Sequence, residues 1–206
     1  MRGKTALLIY AGGLARRLGG VNKALVPLGG EPMAARVARR LKGCAAVTVI
    51  NANRDLAALA AYADAVLPDV LEGFPGPLAG LDAIARAKLP GIEWVLTAPC
   101  DSPFVPEDLL ERFAQALERS PETKAFYAVA GENSHYAFAL IRIDALADEK
   151  TGVRAYLAKG EHRLGGWLKE CGRAEAVPMA DNEAFENLNT LEEIQAAEAR
   201  LYESGH

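Results

Sequence analysis

The sequence contains few of the residues that build disulfide frameworks or metal clusters. Its 206 residues include three cysteines and three histidines, all widely separated. No two cysteines have the C-x-x-C spacing that is typical of zinc and redox sites. We therefore expect neither a disulfide-stabilised fold nor a histidine-based metal centre.

Long apolar runs are also missing. No stretch approaches the roughly 20 apolar residues that a membrane-spanning helix requires, and residues 1–4 lead directly into a strand pattern instead of a signal peptide. The formal net charge of -4 disfavours nucleic acid as a partner. These features predict a cytoplasmic protein that binds neither membranes nor nucleic acids.

Positive charge is concentrated near the start of the chain. Residues 1–42 carry a net charge of +8, whereas the remaining residues carry -12. A basic region in an otherwise acidic protein indicates a local anion site. Exposed arginines on one helix are the alternative explanation for the same asymmetry.

A glycine-rich loop after the first apolar run provides the groups that an anion site needs. Thr5 to Ala11 predicts a buried strand, which ends at Gly12-Gly13. Glycine lets backbone N–H groups approach a phosphate closely, and cations in the same loop supply charge. The patterns G-x-G-x-x-G and G-x-x-x-x-G-K-[ST] are both absent, which disfavours a dinucleotide-binding dehydrogenase. The alternative is an ordinary turn with solvated arginines. The cations of this loop are Arg16, Arg17 and Lys23.

Strand and helix patterns alternate through the first half of the chain. Strands are predicted over 5–11, 47–50, 65–67 and 93–98. Helices are predicted to begin at Glu31-Pro32, at Arg54, after a loop ending at Gly80, and at Pro106. This alternation implies right-handed crossovers and a mostly parallel sheet of the α/β class. Two further strands, over 124–130 and 136–143 around a turn at 131–134, predict an antiparallel addition. No linker interrupts the pattern, so we expect residues 1–206 to form one domain.

Polar residues follow the ends of the predicted parallel strands. Asn51, Asp69 and Asp101 each come shortly after the end of a strand, so they should converge at one edge of the sheet, where ligands bind in such folds. Asp101 is a candidate Mg²⁺ ligand, with a helix N-cap or Asx turn as the alternative. Asp69 has a similar alternative as a turn residue. Cys100 is disfavoured as a nucleophile because no histidine lies near it in sequence, and His135 is disfavoured as a base because turn histidines are usually solvated.

Five stretches, in order along nearly the whole chain, resemble the motifs of molybdenum cofactor guanylyltransferases, within the nucleotidyltransferase superfamily. They are residues 11–23 (AGGLARRLGGVNK), 51–54 (NANR), 75–80 (PGPLAG), 99–104 (PCDSPF) and 185–190 (FENLNT). The resemblance implies a three-layer, Rossmann-like nucleotidyltransferase fold, with a nucleotide-binding N-terminal half and an acceptor-binding C-terminal half. It also implies an enzyme that transfers GMP from Mg²⁺-bound GTP to molybdopterin and releases pyrophosphate.

The resemblance assigns roles by position. The expected nucleotide-binding residues are Tyr10, Ala11, Gly12, Gly13, Lys23, Asn51, Asp69 and Asp101. The expected catalytic residues are Lys23, Arg17 and Asp101, and Asp101 is the expected Mg²⁺ ligand. Candidates for the acceptor side or the metal side are Asn187, Asn189, Gly76 and Gly80. Besides GTP and molybdopterin, proteins that insert molybdenum or receive the cofactor are candidate partners.

Two positions depart from the family pattern. Tyr10 stands where leucine is usual, and Asn22 stands where aspartate commonly precedes the lysine. The alternatives are a relative that uses CTP, a sugar-phosphate nucleotidyltransferase, and a binding protein that carries nucleotide or cofactor without turnover. The turn Ala11-Gly12-Gly13 favours guanine because cytidylyl relatives usually have Ala-Ala-Gly there.

Overall fold

The computed structural model describes residues 1–12, 20–71, 76–180 and 182–203. The strands of the main sheet are β1 (Thr5–Tyr10), β4 (Val47–Asn51), β5 (Ala65–Leu67), β6 (Trp94–Pro99), β7 (Ala125–Ala130), β8 (Asn133–Arg142) and β9 (Ala174–Met179). A small hairpin consists of β2 (Pro27–Leu28) and β3 (Glu31–Pro32). The helices are α1 (Met33–Leu41), α2 (Leu56–Leu59), α3 (Pro77–Ala87), α4 (Leu109–Arg119), α5 (Ile143–Leu146), α6 (Val153–Leu157), α7 (Leu164–Glu170) and α8 (Leu191–Glu203).

The main sheet has the strand order β5-β4-β1-β6-β8-β7-β9. The pairs β4–β5, β1–β4, β1–β6 and β7–β9 are parallel, whereas β8 runs antiparallel to both of its neighbours. The predicted α/β class, the mostly parallel sheet and the antiparallel addition are therefore confirmed. Strand β1 lies near the middle and is buried along its whole length, as its continuous apolar sequence requires.

Helices cover both faces of the sheet, which gives three layers. On one face, α1 and α4 pack through side chains such as Val37 and Phe113. On the other face, α3, α6 and α7 pack through side chains such as Ile84 and Trp167. A smaller apolar cluster joins α8 to the hairpin, where Ile194 contributes to the packing around Leu28.

An irregularity in β8 shapes one end of the sheet. The pairing of β7 with β8 shifts after Tyr127, so that residues 136–138 of β8 have no partners in the β7 register. The Thr97 hydroxyl on β6 donates to the Ala137 carbonyl at 2.8 Å and accepts from the Ala139 N–H at 3.1 Å. The Thr97 side chain thus replaces ladder hydrogen bonds where β8 diverges from β7. Ala137 consequently lies beside the carboxyl end of β6.

Several predicted helix starts were wrong. Helix α3 begins at Pro77, inside the predicted loop, because Gly76 adopts a positive φ of 124° and proline suits the first helical position. Glu31 and Pro32 pair with β2, so α1 begins after them. Helix α4 begins at Leu109 and not at Pro106. Among the described residues, no helix is both long and apolar enough to cross a membrane.

Candidate functional site

A cavity of about 520 Å³ opens at the carboxyl edge of the parallel strands, beside the point where β8 diverges. This volume lies within the usual range for small-molecule sites. The residues that line it are Tyr10, Ala11, Gly12, Lys23, Asn51, Asp69, Gly76, Pro77, Pro99, Cys100, Asp101, Ala137 and Asn187. The residues that follow β1, β4, β5 and β6 thus converge as the strand pattern predicted.

A network of amide side chains holds Asp69 at one side of the cavity. Asn51 Nδ2 donates to Asp69 Oδ1 at 2.9 Å and to the Leu67 carbonyl at 3.0 Å. Asn53 Nδ2 donates to Asp69 Oδ2 at 2.8 Å, and the Asp69 N–H donates back to Asn53 Oδ1 at 2.8 Å. Asp69 is therefore an oriented acceptor and not just a turn residue. Asn53 lies in a stretch that the sequence analysis quoted but was given no role there.

Gly80 allows helix α3 to approach this network. A Cβ atom at Gly80 would lie 2.6 Å from Asn51 Oδ1 and 2.9 Å from Asn51 Cγ, which is closer than real contacts permit. Gly80 itself is buried and does not line the cavity. Gly76, the other glycine singled out from this stretch, does line it. Gly80 therefore leaves room for the Asn51 side chain, and a role for Gly76 at the acceptor or metal side stays a prediction.

A lysine and a carboxylate meet at the opposite side of the cavity. Lys23 Nζ contacts Asp101 Oδ2, and it also donates to Asn189 Oδ1 at 2.8 Å. The Lys23 and Asp101 side chains are 13% and 18% exposed. The alternative interpretation of Asp101 as a helix N-cap is wrong, because Asp108 occupies that position in α4.

The segment before α8 is anchored to the same strand end. The Leu188 N–H donates to the Asp101 carbonyl at 2.8 Å, and Ser102 Oγ donates to Asn187 Oδ1 at 2.6 Å. Asn187 therefore lines the cavity, while Asn189 reaches Lys23. Both asparagines predicted for this region therefore lie near the Lys23–Asp101 contact, and their roles at the acceptor or metal side stay predictions.

The donor set at this side of the cavity fits a metal ion that arrives with phosphate. The Asp101 carboxylate and the Asn189 amide oxygen converge on a single cation position, which the Lys23 ammonium group occupies. Mg²⁺ prefers such oxygen ligands and is usually held by one or two carboxylates together with substrate phosphates. In the part of the chain that the structure describes, no group of three or more His, Cys, Asp or Glu side chains forms a complete metal site.

The remaining titratable groups near the cavity do not suit covalent or acid–base chemistry. Burial raises the pKa of the Cys100 thiol, and the neighbouring Asp101 carboxylate raises it further, so the thiol is protonated at neutral pH. Burial also raises the pKa of the Tyr10 hydroxyl. His135 lies outside the cavity, stacked on Phe185 with 5.1 Å between ring centroids.

The basic charge of residues 1–42 is divided between the cavity and the surface. Lys23 is in the cavity, whereas Arg39 on α1 pairs with Glu31 at 3.0 Å and Arg40 donates to the Val105 carbonyl at 2.8 Å. Arginines on α1 therefore account for part of the charge asymmetry, and an anion site at Lys23 stays a prediction. Gly13, Arg16 and Arg17 lie outside the described residues.

Comparison with known proteins gives a consistent family. The family model for the MobA-like NTP transferase domain matches residues 7–192. A molybdenum cofactor guanylyltransferase of Cupriavidus taiwanensis is 39% identical over 197 residues, which are 94% of this chain and 96% of the relative. Another from Shewanella putrefaciens is 38% identical and spans 91% and 93% of the two chains.

Solved structures share the fold. Molybdopterin-guanine dinucleotide biosynthesis protein A from Archaeoglobus fulgidus superposes with a TM-score of 0.75 at 20% identity, over 96% of this chain and 99% of that one. A CMP:2-keto-3-deoxy-manno-octonic acid synthetase complexed with CTP superposes with a TM-score of 0.67 at 13% identity, over 99% and 100% of the chains.

Replacing Gly80 with alanine tests the support of Asn51. We expect Gly80→Ala to weaken nucleotide binding about tenfold, because Asn51 must move away from Asp69 and leave a polar group unpaired. Alanine favours a helix over glycine by about 1 kcal/mol, so stability to urea should fall much less than binding. The matched control is Gly43→Ala, which meets no atom within 4 Å. Equal nucleotide affinity of the two variants would contradict this role.

The thiols provide a test of the electrostatic environment. Cys44, Cys100 and Cys171 are each at most 5% exposed, and burial raises the pKa of all three, that of Cys171 to about 11. Because raised pKa values keep thiolate scarce, we expect no labelling of the native protein by iodoacetamide at pH 8 and labelling of all three after unfolding in urea. Rapid labelling of Cys100 in the folded protein would show instead that an accessible thiolate lies in the cavity.

Proposed function

Because this chain belongs to the family of MobA-like NTP transferase domains, we propose that it transfers GMP from Mg²⁺-bound GTP to molybdopterin and releases pyrophosphate. The observation that carries the proposal is the shared cavity that joins the Asn51–Asp69 network to the Lys23–Asp101 pair. The first pair offers oriented polar groups for a nucleoside, and the second offers charge for phosphates. The choice of guanine as the base and of molybdopterin as the acceptor is supported by relatives that are named molybdenum cofactor guanylyltransferases.

In this mechanism the nucleoside lies on the side of Asn51 and Asp69. Asp69 accepts hydrogen bonds from the sugar or the base. The Asn51 amide is fixed by its hydrogen bond to the Leu67 carbonyl and by its close packing against Gly80. The backbone after β1, at Ala11 and Gly12, lies against the nucleotide. A preorganised polar pocket limits the orientations that the bound triphosphate can adopt, which favours in-line attack at the α-phosphorus.

The transfer needs no covalent enzyme intermediate. The terminal phosphate of molybdopterin attacks the α-phosphorus of GTP, and the bond from that phosphorus to the oxygen bridging the β-phosphate breaks, so that pyrophosphate leaves. Two anions must approach each other, and the Lys23 ammonium group neutralises part of their charge. Asp101 and Asn189 would hold Mg²⁺, which supplies further charge neutralisation on the phosphates when it is bound. Arg17 would add to the positive charge around them.

The acceptor lies beside the C-terminal part of the cavity in this proposal. Asn187, held by Ser102 just after Asp101, lines the cavity on the side of the catalytic pair, and Gly76 at the start of α3 also lines the cavity. We assign the nucleotide to the N-terminal half of a single domain over residues 1–206 and the pterin to its C-terminal half. Proteins that insert molybdenum or receive the finished cofactor would approach from that side.

Substitution of Asp101 tests the catalytic assignment. We expect Asp101→Asn to lower the rate of pyrophosphate release in the presence of molybdopterin and GTP by about 100-fold or more, because loss of the carboxylate weakens the hold on the Mg²⁺ that would neutralise charge in the transition state, and loss of such stabilisation has this magnitude. The substitution keeps the side-chain shape, so circular dichroism and thermal melting should confirm a folded protein.

The matched control for this experiment is Asp144→Asn. Asp144 is an exposed carboxylate paired with Arg142 at 2.7 Å, at the end of the sheet opposite the cavity. We expect this variant to retain the wild-type rate within about twofold, since surface substitutions rarely alter stability by more than about 0.5 kcal/mol. Equal rates for the Asp101 variant and this control would rule out the catalytic role of Asp101, whereas no pyrophosphate release by the wild-type protein would favour a binding protein.

A further inference from the structure

A buried asparagine caps the short helical turn that carries Lys23. The 3₁₀ helix Lys23–Leu25 begins directly after Asn22, whose Oδ1 accepts a hydrogen bond from the Ala24 N–H at 3.1 Å. Asn22 is 9% exposed. Side-chain caps of this kind satisfy N–H groups that a helical turn leaves free, and they fix the direction in which the turn begins. The position of Lys23 therefore depends on the Asn22 side chain.

Asp55 accepts a hydrogen bond from the NH₂ group of the same Asn22 amide. Asn22 Nδ2 donates to Asp55 Oδ2 at 2.9 Å. A carboxylate only accepts hydrogen bonds, so this contact requires the NH₂ group of Asn22 to face Asp55 and leaves the amide oxygen for the Ala24 N–H. An aspartate at position 22 would set two carboxylates against each other.

The backbone at Asp55 has an unusual conformation. Asp55 has φ 54° and ψ 33°, in the left-handed region that residues other than glycine rarely adopt. The preceding residue, Arg54, donates from Nη1 to the Gly20 carbonyl at 3.3 Å. Arg54 and Asp55, which directly precede α2, thus form hydrogen bonds with Gly20 and Asn22, at the two ends of the segment 20–22. We refer to these contacts, Asn22–Asp55 and Arg54–Gly20, as the clasp.

The clasp links the two sides of the cavity. Asp55 lies four residues after Asn51 and two after Asn53, which orient Asp69 on the nucleoside side. Lys23, on the phosphate side, directly follows Asn22. We propose that Asp55 is a positioning residue, which fixes the distance between the nucleoside network and Lys23 so that a bound triphosphate contacts both. This inference rests on the proposed function, because it concerns how the same site binds its nucleotide.

Two double variants with the same net charge isolate the hydrogen bond. In Asn22→Asp/Asp55→Asn, donor and acceptor are exchanged: the carboxylate introduced at position 22 caps the Ala24 N–H and also accepts from the amide introduced at position 55. In Asn22→Asp/Asp55→Ala, the cap remains but the contact with position 55 is lost. Because both carry the wild-type net charge, a difference between them does not arise from charge near the phosphates.

We expect the exchanged pair to keep the KM for GTP within about twofold of wild type. The alanine double variant should raise KM about fivefold with little change in kcat, the scale expected for a partly exposed ionic hydrogen bond. A variant that merely folds less well loses kcat in proportion to the lost active protein and keeps its KM. Dissociation constants for Mg²⁺-GTP from calorimetry should follow the KM values. Asp144→Asn again serves as the control.

Hydrogen exchange gives a readout that requires no turnover. In Asn22→Asp/Asp55→Ala, the backbone amides of residues 20–26 should exchange faster than in the exchanged pair, since the segment is released from α2. Equal KM values for the two double variants would overturn the positioning role. If wild-type protein binds no nucleoside triphosphate, the proposed function fails, and equal exchange rates in the two double variants would then overturn the clasp as well.

Discussion

The contact between Lys23 and Asp101 is the interaction around which the rest of the site is arranged. It joins the segment after β1 to the end of β6, and the amide oxygen of Asn189 completes it from the C-terminal region. Both charged side chains are largely buried, so each depends on the other for compensation of its lost hydration. In the proposed function, a triphosphate and its metal ion would interact with these same two residues, the phosphates with Lys23 and the metal ion with Asp101.

The direction of the strands explains why this contact and the nucleoside network share one cavity. In a parallel arrangement the carboxyl ends of β1, β4, β5 and β6 lie at the same edge, and every element that follows them starts there. Strand β8 is antiparallel to β6 and β7. Its pairing is irregular near Ala137, and this leaves space beside the carboxyl end of β6 that a continuous ladder of hydrogen bonds would fill. The cavity is thus a consequence of topology, and its specificity comes from side chains at the strand ends.

The sequence was sufficient for features that depend on strand order alone. Asn51, Asp69 and Asp101 could be predicted to converge because each lies near the end of a predicted parallel strand, and the family resemblance brought in Asn187 and Asn189. Contacts that depend on side-chain orientation could not be predicted. The bond from Asn53 to Asp69, the close approach of Gly80 to Asn51 and the contact of Asn22 with Asp55 each join positions 16 or more residues apart. The Gly76-Pro77 helix start had a local signal, since proline favours the first helical position, but the loop pattern before it obscured that signal.

The identity of the transferred nucleotide is the most direct test of this account. Wild-type protein would be incubated with molybdopterin, Mg²⁺ and equal concentrations of GTP and CTP, and the pterin product would be analysed by mass spectrometry. The account predicts a product that carries GMP, formed together with one pyrophosphate per molecule. A product that carries CMP would contradict the guanine assignment, and hydrolysis of nucleotide without any pterin product would contradict the transfer itself.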